Sequence, residues 1–504
     1  MKNNKIAQGA SGVPGIVTGR VLLWNDSFLA NPNLVTGNII FSPGETPLYR
    51  VAFLIDHGAR AVLFEKGGRN YHPLILLNEA MLPGVAGIGN IKFNKRSVVV
   101  DSGAGIVYEG RAAIKNKNDK MDGLKLDYSL KTSVPIYANV GYPLSIRFAA
   151  QSGADGIGLL RTEFVAASAL LNILNENIGN KVSIKDEIEI SNEADTIYKA
   201  LKSKKLYYYF KSALGAAIKE AIKWFPEKEV IIRTMDIARK EDDYLGNRGI
   251  RRCLSEGGDS IRLIAEALKY SIKSASAGCR FGIILPLVSH YSQIRSALNI
   301  LLDAGLCLRK ISSSDPNGIG FGWEIEQPAA SENNEIWIKA FTSEFKQPPH
   351  YIGIGTNDLT QYTLALGRNA YAIESVPSVR DYLRSLYDEK DISIIKQIYE
   401  ISRQCHRFGV RLFLLGEAAV ENTFAKLIYA FGIIPSVSVR NIFKMRCIIH
   451  ELESTHKKRK EILNEFIESA SRQYPSKTRL QVKSLLNKTF KIGLIRSTAP
   501  NPDF

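Results

Sequence analysis

The chain has 504 residues and a formal net charge of +16 at pH 7, with 45% hydrophobic and 23% charged residues. This length suits about two or three domains with ample core, and the composition is that of an ordinary soluble protein. No apolar run approaches the roughly 20 residues of a transmembrane helix, and the first residues lack the apolar core of a signal peptide.

Cysteine and lysine positions narrow the class of protein further. The five cysteines form no CxxC pair, which argues against a zinc site or a disulfide framework and predicts a reducing, cytoplasmic location. The densest basic run, Lys457–Lys460, has no interleaved aromatic residues, so we interpret it as a solvated helix face and not as a nucleic-acid surface. An excess of basic charge suits a protein that handles phosphorylated anions.

Residues 1–112 have the pattern of a small α/β unit rich in glycine turns. Between two strand-like runs, Gly67 and Gly68 predict a turn, and His72 opens a helix-like segment. A histidine there is exposed enough to react, and the glycines would let a phosphate come close; the alternative is an ordinary surface histidine. The strand-like runs are Gly19–Trp24, Asn38–Ser42, Ala61–Glu65 and Val98–Ser102.

Three segments read as connections or additions. Residues 113–133 are polar and lysine-rich, and they predict a linker that lets the first unit move against the rest. Residues 165–200 predict an inserted helical segment, and residues 456–504 a basic C-terminal helix and tail.

Residues 134–455 repeat one pattern, in which a short apolar run ends in a polar residue and an amphipathic segment follows. Eight such repeats predict a (β/α)8 TIM barrel, so the fold class is α/β with a small α/β unit in front of the barrel. The eight runs are Pro135–Val140, Gly156–Leu160, Val230–Asp236, Phe281–Val288, Phe321–Glu326, Tyr351–Gly355, Arg411–Glu417 and Phe431–Val439.

The sixth run delivers Thr356, Asn357 and Asp358 together. These residue types are preferred helix caps, but they also suit a site for a charged ligand. In a barrel, the polar residues that end all eight runs would meet at the carboxyl face, where active sites form. Unrelated caps would not supply arginines such as Arg161 and Arg233 as well, so the pattern favours a site.

The residue types at this face suggest a metal-bridged phosphate. Glu326 and Asp358 are hard oxygen ligands suited to Mg²⁺ or Mn²⁺, and Arg161 and Arg233 can clamp a phosphate through paired N–H groups.

Three more residues complete this hypothesis. Arg368 can neutralise charge as a phosphoryl group leaves, and Asn357 can donate to a phosphate oxygen. His72, on a mobile unit, would be the nucleophile that takes or gives the phosphoryl group.

Several motifs resemble those of one known family. Gly67–His72 is similar to the phosphohistidine motif of a swivelling domain, and Asp155–Phe164, Ile231–Asp236 and Leu245–Arg251 are similar to arginine-bearing barrel motifs. Glu326–Ala330 and Gly355–Ala365 are similar to metal-binding motifs. On these motifs the chain resembles the phosphoenolpyruvate-utilising enzymes: phosphoenolpyruvate synthase (pyruvate, water dikinase), pyruvate phosphate dikinase, and enzyme I of the sugar phosphotransferase system.

The resemblance implies a Mg²⁺-dependent phosphoryl exchange between phosphoenolpyruvate and a histidine on a swivelling domain. It also implies a possible homodimer, since family members commonly form dimers through the barrel. The implied roles are catalysis by His72 and Arg368, phosphate binding by Arg161, Arg233, Arg248, Asn357 and Arg368, and metal binding by Glu326 and Asp358.

The sequence also departs from the family pattern. Family members carry a cysteine before the Gly-Glu of the seventh strand end, as the acid that protonates the enolate, whereas this chain has Leu415. A leucine has no proton to donate. Tyr71, Pro73 and Gly367 also replace the residues usual beside the reactive histidine and the last arginine.

Three functions therefore stay open. The first is a synthase- or dikinase-like enzyme whose nucleotide domain or phosphoryl acceptor is supplied by another protein, since no ATP-grasp domain precedes the histidine unit. The second is an enzyme I-like phosphotransferase acting on a carrier protein, although the helical carrier-binding insert is missing. The third is a degenerate barrel that binds phosphoenolpyruvate without catalysis, which Leu415 would suit.

Overall fold

The computed structural model describes residues 4–68, 71–93, 97–110, 130–166, 169, 197, 201–237, 247–272, 278–311, 318–367, 377–455 and 458–490. Most of the predicted linker, nearly all of the predicted helical insertion and Arg368 lie outside these residues.

The N-terminal part of the chain forms an eight-stranded sheet in the order β1-β8-β7-β3-β4-β5-β6-β2. Neighbouring strands from β3 to β6 are parallel, and the other pairs are antiparallel. All four predicted strands are confirmed, and four short strands were not predicted. The elements are β1 (Lys5–Gln8), β2 (Ala10–Ser11), β3 (Ile16–Leu23), α1 (Ser27–Ala30), β4 (Ile39–Ser42), α2 (Leu48–Asp56), β5 (Ala61–Phe64), α3 (His72–Glu79), β6 (Gly84–Ala86), β7 (Ser97–Asp101) and β8 (Ile106–Glu109).

The next eight strands close into a parallel barrel, which confirms the predicted (β/α)8 fold. Ser436 pairs with Tyr137, so the last strand completes the ring with the first. These strands are almost wholly buried and read as apolar runs because helices cover them outside and side chains fill them inside. They are β9 (Tyr137–Val140), β10 (Ile157–Arg161), β11 (Glu229–Arg233), β12 (Arg280–Leu285), β13 (Gly320–Ile325), β14 (Tyr351–Ile354), β15 (Arg411–Leu414) and β16 (Ile434–Ser438).

Amphipathic helices follow the barrel strands and pack their apolar faces on the ring. The described helices are α4 (Pro143–Gln151), α5 (Lys204–Trp224), α6 (Ile250–Ser255), α7 (Asp259–Ile272), α8 (Tyr291–Asp303), α9 (Pro328–Phe345), α10 (Thr356–Leu364), α11 (Pro377–Leu386), α12 (Ile392–Phe408), α13 (Asn422–Phe431), α14 (Ile442–Ser454), α15 (Arg459–Ser471) and α16 (Ser476–Thr489).

The C-terminal segment differs from its prediction. The sequence predicted one helix and a tail, whereas the described residues up to 490 form two helices, α15 and α16. Phe466 and Phe490 belong to the buried core of the barrel, and the Phe490 ring lies edge-on to Tyr399 at 5.2 Å between centroids. The segment therefore buries apolar surface on the barrel instead of trailing from it.

An ion-pair network closes the amino end of the barrel. Glu229, at the start of β11, accepts from Arg309 Nη2 at 2.7 Å and lies 2.5 Å from Arg411 Nη1. All three side chains are largely or fully buried, with Glu229 1% exposed. Burial alone would raise the pKa of Glu229, but the charges of Arg411 and Arg309 lower it to about 2. This network ties β11 to β15, on the other side of the ring.

Among the described residues, no helix combines the length and the apolar character that crossing a bilayer requires.

Candidate active site

The predicted site residues of the barrel that the structure describes lie at one end of it. Arg161 and Arg233 are the last residues of β10 and β11, Glu326 follows β13 directly, and Asp358 lies in the first turn of α10 after β14. Because all eight strands are parallel, these positions share the carboxyl end of the barrel. Arg248 lies two residues before α6. Its side chain also reaches the carboxyl end of the barrel, where it contacts Asp236 and Asp358.

Arg233 lies inside a cage of carboxylates. Its guanidinium forms a hydrogen-bonded ion pair with Glu163, and it lies 3.4 Å from Asp236 and 3.7 Å from Glu324. Burial by itself would lower the pKa of Arg233, but these carboxylates raise it above its ordinary value, so the guanidinium stays charged. Its Nε is buried and has no hydrogen-bond partner among the described residues. Arg233 therefore keeps a donor for an oxygen ligand.

Arg248 joins two acidic residues. Its Nε and Nη2 donate to the two oxygens of Asp236 at 2.8 and 2.9 Å, the fork geometry that arginine favours. Its Nη1 donates to Asp358 at 2.9 Å. Only the resemblance to a known family pointed to Arg248 as a site residue. The structure shows that it is hydrogen-bonded to Asp358, a predicted metal ligand.

Glu326 is held from two sides. One carboxylate oxygen accepts from the Leu287 backbone N–H at 2.7 Å, and the other lies over Gly355. A Cβ on Gly355 would come within 2.5 Å of that oxygen, so this position needs a glycine for space. Burial, together with the nearby carboxylates of Glu324 and Asp358, raises the pKa of Glu326 well above its usual range.

The charge balance of this end suits a divalent cation. Three guanidinium groups face six carboxyl groups, and Glu326 is only 2% exposed. Buried carboxylates with too few cationic partners are what a hard cation stabilises, and Glu326 and Asp358 would hold it. In the described part of the chain, no group of three or more His, Cys, Asp or Glu side chains has the spacing of a metal site. Mg²⁺ commonly takes one or two carboxylates and fills its shell with phosphate and water. The charged groups of this end are Arg161, Arg233, Arg248, Glu79, Glu163, Asp236, Glu324, Glu326 and Asp358.

Arg161 forms an ion pair with a residue of the N-terminal unit. Its guanidinium pairs with the carboxylate of Glu79, the last residue of α3, and its Cζ lies 5.7 Å from the centre of the Phe164 ring. The Arg161 side chain is only 14% exposed, and that of Glu79 is fully buried. The sequence did not predict this contact.

Asn357 and Asp358 are not helix caps. The N-cap of α10 is Gly355, which has no side chain to accept a hydrogen bond. Asn357 is half-buried, and its carbonyl accepts from the hydroxyl of Tyr387 at 2.8 Å. The alternative that these residues serve only as caps is therefore wrong.

His72 is the first residue of α3, as predicted, but its side chain lies outside the described part. The preceding Tyr71 packs against Gly67, whose φ of 106° is open to glycine, and its hydroxyl accepts from the Thr46 N–H at 2.9 Å. Pro73 occupies the first turn of the helix, where proline is tolerated. Tyr71 and Pro73, which differ from the residues usual in the family, are therefore both compatible with the start of helix α3.

Leu415 belongs to the apolar layer inside the barrel. It follows β15 directly and packs with Tyr137, Ile284 and Phe413, with 7% of its surface exposed. Its Cδ1 occupies the space beside Gly353, where a Cβ would approach to 2.6 Å. The position expected for a proton donor thus carries a packed hydrocarbon group.

Three acidic residues of the site were not predicted: Glu79, Glu163 and Glu324. Glu163 stands two residues after Arg161, and Glu324 two residues before Glu326. Side chains two apart on a strand share a face, so the sequence signal for Glu324 was an acidic pair at spacing two. No local pattern marks Glu79, because its partner lies 82 residues away.

Comparison with known proteins places this geometry in context. The family described as "PEP-utilising enzyme, PEP-binding domain" matches residues 115–454. Phosphoenolpyruvate synthase of Pyrococcus furiosus is 29% identical over 440 residues, 85% of this chain and 48% of that protein. Phosphoenolpyruvate-protein phosphotransferase of Staphylococcus aureus is 25% identical over 493 residues, 92% of this chain and 74% of that protein. The chain spans about half the length of two of these relatives, since the match covers 48% of the phosphoenolpyruvate synthase of Pyrococcus furiosus and 48% of the probable phosphoenolpyruvate synthase of Pyrococcus abyssi.

Proposed function

Because the chain belongs to the phosphoenolpyruvate-utilising enzymes through their PEP-binding domain, we propose that it transfers a phosphoryl group between phosphoenolpyruvate and His72. The observation that carries this proposal is the cluster of arginines and carboxylates at the carboxyl end of the barrel, above all Arg233 beside Glu163 and Arg248 beside Asp358. Guanidinium groups beside buried carboxylates suit a phosphate that is shared with a divalent cation.

The proposed step is an exchange of one bond for another. The phosphorus–oxygen bond of phosphoenolpyruvate breaks, a bond from phosphorus to an imidazole nitrogen of His72 forms, and the enolate of pyruvate leaves. Arg233, with its spare buried Nε, would hold the phosphoryl oxygens, and Arg368 would neutralise charge on them. Mg²⁺ or Mn²⁺, held by Glu326 and Asp358, would supply electrostatic stabilisation of the leaving enolate.

The phosphoryl group then needs a second partner. We assign the chain to a synthase- or dikinase-like system, in which a nucleotide domain, or a separate acceptor, exchanges the phosphoryl group with His72. The likeness to phosphoenolpyruvate synthases over 85% of the chain supports this version. The enzyme I-like version is favoured by a different observation, the match to a phosphoenolpyruvate-protein phosphotransferase over 74% of that protein.

Labelling with phosphoenolpyruvate that is radioactive in its phosphoryl group tests the function. We expect acid-labile label on the wild type with Mg²⁺, its loss on chelation, and its complete loss in His72→Ala, because the nucleophile is gone. His57→Ala is the matched control, since His57 lies in the same unit and its imidazole Nδ1 is hydrogen-bonded to the Phe53 carbonyl at 2.9 Å.

The outcomes separate the three functions. If the wild type stays unlabelled while an enzyme I treated in parallel is labelled, the result supports the non-catalytic barrel. It then refutes the proposed phosphoryl transfer to His72. Label that leaves His72 on addition of a small histidine carrier protein would favour the enzyme I-like version, whereas label that leaves only with a nucleotide-binding partner favours the synthase-like one.

Leu415→Cys is expected to restore carbon proton transfer. A thiol at this position can donate to and accept from the methyl carbon of pyruvate, which the hydrocarbon side chain of Leu415 cannot. We expect deuterium exchange into the pyruvate methyl group, followed by NMR in heavy water, to rise by roughly 10²-fold. Labelling of His72 should stay unchanged, because the phosphoryl step does not use this side chain. Leu415→Ala is the volume control, and an equal rise in that variant would contradict the explanation.

A further inference from the structure

The N-terminal unit has polar side chains of its own at the carboxyl ends of its parallel strands. Strands β3, β4 and β5 are parallel neighbours, so these ends share one edge of the sheet. Trp24 follows β3, Ser42 ends β4, and the segment after β5 leads to His72 at the start of α3. In open α/β sheets, ligands bind outside the carboxyl ends of the strands. This edge is therefore where the unit would hold a ligand.

Three hydrogen bonds connect Arg50 of α2 to the residue before His72. Arg50 Nη1 donates to the Ser42 hydroxyl at 3.0 Å, and that hydroxyl lies 2.8 Å from the Thr46 hydroxyl. The Thr46 backbone N–H donates to the hydroxyl of Tyr71 at 2.9 Å. Ser42 is fully buried and Thr46 nearly so, and the network therefore ties Arg50 to the start of α3.

Arg50 is a half-buried cation without an acidic partner in the described part of the chain. Among those residues it forms no ion pair with a carboxylate, although Asp26 attracts it from farther away. Burial is the largest influence on the pKa of Arg50 and lowers it. Its Nε is buried and has no hydrogen-bond partner among the described residues. Because a charge taken out of water normally has an anion beside it, this position suits one that arrives with a ligand.

Packing on an aromatic ring does not replace that anion. The Cζ of Arg50 lies 4.9 Å from the centre of the Trp24 ring, which covers one face of the guanidinium. The ring leaves the positive charge uncancelled, and the donors in the plane of the guanidinium remain suited to an oxygen anion. Arg20 and Arg60, the other arginines in the described part of this unit, are exposed, so water balances their charge.

We propose that Arg50 binds the phosphoryl group that His72 carries and acts as its counter-ion. The inference rests on the proposed function, because it takes phosphohistidine at His72 as the anion. A phosphoryl group adds negative charge and strong acceptor oxygens at the start of α3, and a guanidinium donates paired N–H groups to such oxygens. Arg161 and Arg233 belong to the barrel, whereas Arg50 belongs to the same unit as His72. It therefore stays with the phosphoryl group when that unit leaves the barrel.

Two measurements on the full chain test this role in the wild type, Arg50→Met, Arg50→Lys and Arg60→Met. His72 is phosphorylated with phosphoenolpyruvate and Mg²⁺ and, in parallel, with phosphoramidate, which phosphorylates imidazoles without an enzymatic step. The first measurement is the pH midpoint at which the phosphohistidine resonance titrates in phosphorus NMR, with His72→Ala to identify that resonance. The second is amide hydrogen exchange in peptides that cover 42–56, with and without the phosphoryl group.

We expect the phosphohistidine of Arg50→Met to titrate roughly one pH unit or more above that of the wild type, because the guanidinium favours the more charged form. Arg50→Lys should fall between them, since lysine keeps the charge but not the paired donors. In the wild type, the phosphoryl group should slow exchange across 42–56 several-fold, and in Arg50→Met it should not. Arg60→Met, which removes an exposed arginine of the same unit, should behave as the wild type. Tyr71 does not interfere, because burial raises its pKa to about 12.

Other outcomes overturn the assignment of Arg50. Equal titration midpoints in the wild type and Arg50→Met would refute the contact, while label from phosphoenolpyruvate would leave the proposed function standing. A shift that Arg60→Met reproduces would show only a loss of overall charge, which also refutes the contact. Should Arg50→Met fail to fold, Arg50→Lys decides, since unchanged titration and exchange in that variant would exclude paired donation by Arg50.

The two phosphorylating reagents separate this inference from the proposed function. If phosphoramidate labels His72 and phosphoenolpyruvate does not, the proposed function fails, and the same comparison of variants still decides the role of Arg50. If neither reagent labels His72 in a folded wild type, both the proposed function and the role of Arg50 are refuted.

Discussion

Replacing Arg233 by methionine is expected to lower the affinity for phosphoenolpyruvate by between roughly 30-fold and several thousand-fold, equivalent to about 2–5 kcal/mol. The variant loses the buried guanidinium whose Nε is unpaired among the described residues. It also leaves Glu163, Asp236 and Glu324 without their common cation, so the negative charge at the barrel mouth grows. Calorimetric titration with phosphoenolpyruvate and Mg²⁺ measures the loss, and His72 labelling should fall with it.

Two comparisons separate binding from folding in that experiment. Arg262→Met removes an exposed arginine paired with Asp259 on the outer surface and should leave affinity unchanged. Arg233→Met with Glu163→Gln removes one of the stranded carboxylates and should recover melting temperature but not affinity. Wild-type affinity in Arg233→Met would exclude this arginine from the phosphate site.

Replacing Glu229 by glutamine is expected to lower the free energy of unfolding of the barrel by about 3–5 kcal/mol. The change leaves Arg309 and Arg411 buried without their anion at the amino end of the barrel. Urea-induced unfolding followed by tryptophan fluorescence measures the loss, because Trp224, Trp323 and Trp337 lie in the barrel part of the chain. Glu400→Gln, which removes a partly exposed partner of Arg403, should cost under about 1 kcal/mol.

The ion-pair network of Glu229, Arg309 and Arg411 should also make the stability of the protein depend on pH. The pKa of Glu229 is about 2 in the folded chain and 4.5 when unperturbed, so its folded value is depressed. Its contribution, roughly 3 kcal/mol, is present above the unfolded pKa and is lost as the pH falls from about 5 towards 2. The wild type should therefore lose more stability than Glu229→Gln over this pH range. Parallel stability curves for the two proteins would contradict the role assigned to Glu229.

Sequence patterns located the residues at the strand ends, but they did not show which arginine contacts which carboxylate. Arg161, Arg233, Glu326 and Asp358 each stand at the end of an apolar run, so strand order alone placed them at one face. Which arginine meets which carboxylate depends on side-chain packing across the barrel. Arg248 illustrates this, since it reaches Asp358 over a separation of 110 residues.

The sequence by itself determined the barrel, its strand count and the residue types at its carboxyl end. These follow from local periodicity and residue type, which the backbone converts into parallel strands whose polar ends coincide. Only the tertiary structure decided that Arg161 faces Glu79, that Leu415 is packed in an apolar layer, and that the C-terminal segment covers the barrel with two helices. Such contacts arise from burial and close packing between distant segments, for which no local pattern exists.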